Sequence, residues 1–225
     1  FKKWQWIDVR IEKSANDHRP ESHKVYIDSL TCGDALPTTR AWAERRPWLD
    51  KIPTFDSFAA LEAARIEQKI SLALLRPDKI IDLELLKARN PDWTEEEKNK
   101  LISAQRQDDL FTETQAADQI LQLRKIPHDF HYRYVCKEPD GEQECRHKIV
   151  DWEAGQLFWN CHQRHGPQWA EPFRSKLFDD LGSKDLMFLM GNQHRFQDQW
   201  LIISLIYPPK RTPTAAAQFD LEDLL

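Results

Sequence analysis

The stretch Phe130–Cys136 (FHYRYVC), Pro139-Asp140-Gly141-Glu142, Cys145–Val150 (CRHKIV) and Asp151-Trp152-Glu153 decides how this chain is read. Two β-rich runs flank Asp140-Gly141, a pair suited to a type I′ turn because both central residues there need positive φ. With those two as the loop, counting outward sets Cys136 opposite Cys145, Tyr134 opposite His147 and Arg133 opposite Lys148. The pleat then sends Phe130, Tyr132, Tyr134, Cys136, Cys145, His147 and Ile149 to the core. The other face carries His131, Arg133, Lys137, Arg146 and Lys148, with Glu144 as its acidic counterweight.

That second face is the candidate binding surface. Like charges directly opposite one another cost stability unless an anion relieves them, so nucleic acid or an acidic protein is the expected partner. A solvated sheet face with splayed side chains explains the same residues, because surface charge effects are weak.

Cys136, Cys145 and His147 share the core face and offer the thiolate and imidazole set that zinc takes, with Cys161 or His162 as a fourth ligand. Their spacing lacks the C-x2-C knuckle of a ribbon or finger. Packed free thiols and a cross-strand disulfide remain open beside the zinc reading. Asp151 and Glu153, with Lys148 three residues upstream, could hold a metal ion for phosphodiester cleavage. They are equally an ordinary helix N-cap and first-turn acid. His162 and His165 lack a carboxylate partner at recognisable spacing, and no phosphate loop, nucleophile elbow or dinucleotide fingerprint is visible.

Outside the hairpin, 225 residues with 40% apolar content, nine Trp and eleven Phe predict a substantial core. A net charge of −5 argues against a protein that coats nucleic acid over its whole surface. Neither a membrane-length apolar run nor a signal peptide is visible, and four cysteines without a dense framework fit a reducing compartment. The expected location is cytoplasmic.

Periodicity predicts strands at Trp4–Glu12, His23–Ile27, Ser71–Leu75, Lys79–Leu86, Asp185–Met190 and Trp200–Tyr207. Lys79–Leu86 fits a helix as well. Helices are predicted at 38–46, from Thr54-Phe55-Asp56-Ser57, from Thr94 with Glu97 closing a capping box, at 153–163 and at 169–181. Residues 105–123 read as a polar connection or short helix. The fold class is therefore α+β: a mostly antiparallel sheet with a central β-hairpin, followed by helices and two further buried strands. The expected division is 1–119 as an N-terminal mixed segment, 120–207 as a hairpin domain and 208–225 as linker and tail. Phe219, Leu221, Leu224 and Leu225 in that acidic tail are expected to dock on a protein partner.

Asp17-His18-Arg19-Pro20-Glu21-Ser22, Ser71-Leu72 with Arg76-Pro77, Cys136, Cys145, His147 and Asp151-Trp152-Glu153 resemble a group of uncharacterised prokaryotic sequences. The resemblance spans nearly the whole chain and implies no activity. On residues alone, Asp17–Ser22 is a site or a solvated turn. The function expected from all this is a non-enzymatic intracellular subunit of a nucleic-acid-handling assembly. The alternative is the nuclease centred on Asp151 and Glu153.

Overall fold

The structure is a computed structural model that describes residues 2–100 and 124–210. In chain order its strands are β1 (Gln5–Asp8), β2 (Ile11–Lys13), β3 (His23–Val25), β4 (Thr31–Ala35), β5 (Thr54–Phe55), β6 (Leu72–Leu75), β7 (Lys79–Lys87), β8 (His128–Glu138), β9 (Gly141–Ile149), β10 (Met187–Asn192) and β11 (Trp200–Ile206). The helices used below are α1 (Thr39–Trp42), α2 (Arg46–Leu49), α3 (Phe58–Gln68), α4 (Trp152–His165) and α5 (Ala170–Arg174), the last running on into a wider π turn over Ser175–Asp180.

Seven strands form the main sheet in the order β5-β6-β10-β11-β9-β8-β7. The fold class is α+β, as expected, but the sheet is mixed: β5–β6 and β11–β9 pair in parallel, and the other neighbours are antiparallel. Strands from residues 54–87 and from 128–206 share this one sheet. Residues 1–51 contribute two small antiparallel ribbons, β1 with β4 and β2 with β3.

The pleat explains the two cores. Along β6 and β10, Ala73, Leu75, Phe188 and Met190 face a core completed by α3, α4 and α5, through Leu61, Phe158 and Phe173 among others. Leu74, Met187 and Leu189 point the opposite way, where Trp42, Leu49 and Trp4 of the N-terminal segment cover them. The N-terminal segment therefore covers the β6–β10–β11 part of one sheet face and leaves the β7–β8–β9 part uncovered. Arg45 helps seat it, with its guanidinium 5.0 Å from the Trp4 ring and 4.8 Å from the Trp42 ring.

The hairpin register corrects the sequence reading. Glu138 pairs with Gly141, so Pro139 and Asp140 are the loop residues, and Gly141 supplies the positive φ of 140°. Glu138-Pro139-Asp140-Gly141 has Pro second and Gly fourth, the type I preference, and it outcompetes the Asp-Gly signal. The correction moves every pair by two positions. Tyr134 now faces Cys145, Cys136 faces Gln143, and Arg133 faces Arg146 rather than Lys148. A shift of two preserves side-chain parity, so both face assignments stand.

The capping box read from sequence is present: Thr94 and Glu97 exchange hydrogen bonds of 2.9 and 3.2 Å. Thr54–Phe55, read as the start of a helix, pairs instead as β5, and α3 starts only after Ser57, whose Oγ accepts from Ala60 N at 2.9 Å. Residues 105–123 and the tail residues Phe219, Leu221, Leu224 and Leu225 lie outside the described residues. Among the described residues, no helix is long and apolar enough to cross a membrane.

Candidate functional site

The hairpin face brings His131, Arg133, Lys137, Arg146 and Lys148 together, but each of its Arg and Lys side chains has a carboxylate partner. Arg146 Nε meets Glu84 at 2.8 Å, Lys148 meets Asp129 at 2.6 Å, and Lys137 meets Asp78 at 2.5 Å. Arg133 binds Glu144, its Nε donating at 2.8 Å, and lies 3.8 Å from Glu84. The Arg133–Arg146 opposition is thus relieved within the chain by acids on β7 and β9. Glu84 and Asp78, missed from sequence, become neighbours only when β7 pairs with β8. The pKa of His131 is lowered, chiefly by burial.

The Cys/His group packs on the inner face as expected, but its three ligand atoms do not gather. Tyr134 Oη and His147 Nδ1 share a hydrogen bond of 2.7 Å, and the imidazole packs tilted against Phe58 with ring centres 4.9 Å apart. Burial lowers the His147 pKa to about 4, so the ring is neutral at neutral pH. Cys136, Cys145 and Cys161 are buried free thiols. A hydrogen bond from Cys145, then burial, pushes the Cys136 thiol well up.

Asp151 and Glu153 cap α4. Asp151 Oδ1 accepts from Glu153 N at 2.8 Å, and Oδ2 accepts from Leu205 N at 2.7 Å and from Lys3 Nζ at 3.2 Å. Lys3 also binds Glu153 at 3.0 Å. Both Asp151 oxygens accept hydrogen bonds within the fold, and Lys148 is engaged by Asp129.

The polar loop between β2 and β3 shows what sequence spacing hid. Asp17-His18-Arg19-Pro20-Glu21-Ser22 lies at the end of the sheet where β6 starts and β10 stops. Asp17 binds Arg19 at 2.6 Å and accepts from Ser22 Oγ at 2.7 Å, and the Arg19 bond holds its pKa far below the carboxylate range. Arg19 Nη1 donates to Asn192 O, and buried Ser71 donates to Glu21 at 2.7 Å. His194 Nδ1 lies 3.0 Å from Asp17 Oδ1, while the Gln197 amide donates to His18 Nε2 at 2.7 Å. His194 lies more than 170 residues from Asp17 in sequence, so no local motif could reveal the meeting.

A second feature is a groove of about 1280 Å³ between α2, the β6–β7 turn and the segment before β10. Leu49, Leu74 and Met187 form its apolar floor. Arg46, Lys51, Lys79 and Lys210 line it without a carboxylate partner among the described residues, Arg46 donating to the Ala41 and Pro209 carbonyls, and Asp50, Asp78 and Asp185 share the lining. Arg76 is paired with Asp185 at 3.1 Å and Lys184 with Asp180 at 3.1 Å. Beside the groove, Lys51 Nζ sits 3.9 Å over the ring of Trp48, which meets Trp6 at 4.9 Å edge to face.

Residues 54–223 match the family described as a domain of unknown function (DUF8757). The chain belongs to this family. Residues 1–51 match a second domain of unknown function (DUF8758), so the Asp17 loop comes from one matched region and Ser71, Asn192 and His194 from the other. No curated protein and no solved structure matches the chain.

Proposed function

We propose that the chain is a non-enzymatic binding subunit that takes single-stranded nucleic acid in the groove beside α2, rather than on the hairpin face. One observation carries the reading: four cations without carboxylate partners among the described residues line one groove, outnumbering its acids, in a chain whose net charge is −5. Backbone phosphates would answer Arg46, Lys51, Lys79 and Lys210. Exposed Trp48 and Trp6 at the rim offer aromatic surface for unpaired bases. A cationic track beside aromatic faces suits a single strand, whose bases are free to stack, better than a closed duplex.

The hairpin face supports this function less, because its charges are already answered. The test is ultraviolet crosslinking of a labelled single-stranded oligonucleotide to the whole chain in EDTA, with crosslinked peptides mapped by mass spectrometry. Crosslinks at Trp48 or Trp6 with the oligonucleotide uncut are expected. Crosslinks confined to β8 and β9, or none, would refute the groove, and EDTA-sensitive cleavage would point to an enzyme.

A further inference from the structure

We infer that Asp17, His18 and His194 form a binding site for a late first-row divalent cation of the zinc type. Independently of the groove, this site clamps the N-terminal segment to the end of the sheet. Among the described residues these three form the one group of His, Cys, Asp or Glu side chains whose ligand atoms all lie within 4.8 Å of one another.

The decisive geometry is at His194. Its Nδ1 is shut off from solvent and stands 3.0 Å from Asp17 Oδ1, yet it makes no hydrogen bond. A buried polar atom without a partner is costly, so the arrangement asks for a third body. Ligand atoms about 2.1 Å from a shared cation are separated by roughly 3.0–3.4 Å, and the Asp17–His194 distance fits such an edge. An N–H aimed at the carboxylate would have satisfied Nδ1 without a metal.

Outer partners are also in place. Arg19 and Ser22 hold the Asp17 carboxylate, the kind of support that orients metal ligands, and the ion would take the His18 nitrogen lone pair that Gln197 meets in the metal-free chain. Two imidazoles and a carboxylate select a borderline cation over magnesium or calcium, whose sites are built from oxygen. Three protein ligands leave at least one position to water. Because His18 and Asp17 precede β3 and His194 follows β10, one ion would tie two regions that the backbone joins only through a long path.

The experiment uses the full chain, stripped with chelator and titrated with Zn²⁺ and then Co²⁺ by calorimetry and visible absorption. Close to one equivalent should bind, with d–d bands of a nitrogen and oxygen site rather than a thiolate charge-transfer band. His18→Asn, at an exposed side chain that leaves folding intact, and His194→Asn should each weaken binding at least about tenfold. The double variant Cys136→Ser/Cys145→Ser should bind as the wild type does. Absence of stoichiometric binding would overturn the site, as would binding that survives both histidine variants or is lost in the cysteine variant.

Discussion

Glu21 accepts a 2.7 Å hydrogen bond from the hydroxyl of Ser71, fifty positions away and buried at the start of β6. With Arg19 on the carbonyl of Asn192, this contact seats the β2–β3 loop on the sheet. Ser71→Ala leaves Glu21 without that donor and should cost about 1 kcal/mol. Denaturant unfolding measures the loss, and limited proteolysis should cut residues 14–22 faster. An unchanged midpoint together with unchanged cleavage would show that the contact does not seat the loop.

Asp151 is a structural acid by the same kind of reasoning. Its carboxylate serves Glu153 N, Leu205 N and Lys3 at once, with a side chain only 2% exposed. Asp151→Ala should therefore destabilise the chain by about 2–4 kcal/mol, combining a lost cap with a stranded strand N–H. Equilibrium unfolding checks the figure. A variant of near wild-type stability would return Asp151 to the candidates for chemistry.

His147 gives the chain a pH dependence with a defined sign. Its folded pKa is lowered from 6.5 to about 4, chiefly by burial, so the unfolded state binds the proton more readily. The resulting stability is fully present above pH 6.5 and is lost as pH falls towards about 4, by at most about 3 kcal/mol. His147→Gln keeps an acceptor for Tyr134 and does not titrate. Unfolding free energies across this window should flatten in that variant, and an equal slope in both proteins would contradict the assignment.

The cysteines should behave as one accessible thiol and three hidden ones. Cys32 is exposed, while Cys136, Cys145 and Cys161 are buried and reduced. A thiol reagent should titrate Cys32 alone in the native chain and all four after unfolding without reductant. Two missing thiols in the unfolded titration would reveal a disulfide.

Local signals were legible in the sequence and long-range ones were not. The hairpin, its two faces, the Thr94 cap and the two buried strands each depend on residues within a turn or a strand of one another. Face assignment survived the misread loop because a two-residue shift preserves parity. The charge of the outer hairpin face was misjudged because Glu84 and Asp78 reach it only through β7 pairing. The meeting of Asp17 with His194 depends on where β10 ends, and the groove cations come from separate segments around α2, β7 and residue 210. Neither leaves a spacing to find.

The most direct measurement is the salt dependence of binding to a fluorescent single-stranded oligothymidylate, read by anisotropy for three proteins. They are the wild type, Lys51→Glu/Lys79→Glu in the groove and Arg133→Ala/Lys148→Ala on the hairpin. Lys51 and Lys79 are exposed, so the groove variant keeps its fold. The groove reading predicts wild-type affinity that falls with salt. It also predicts a groove variant weaker by at least about tenfold with a log–log slope shallower by about 1.4, the value for two lost phosphate contacts on a single strand. The hairpin variant should match the wild type. A groove variant that binds with wild-type affinity and slope, or a loss confined to the hairpin variant, would contradict it.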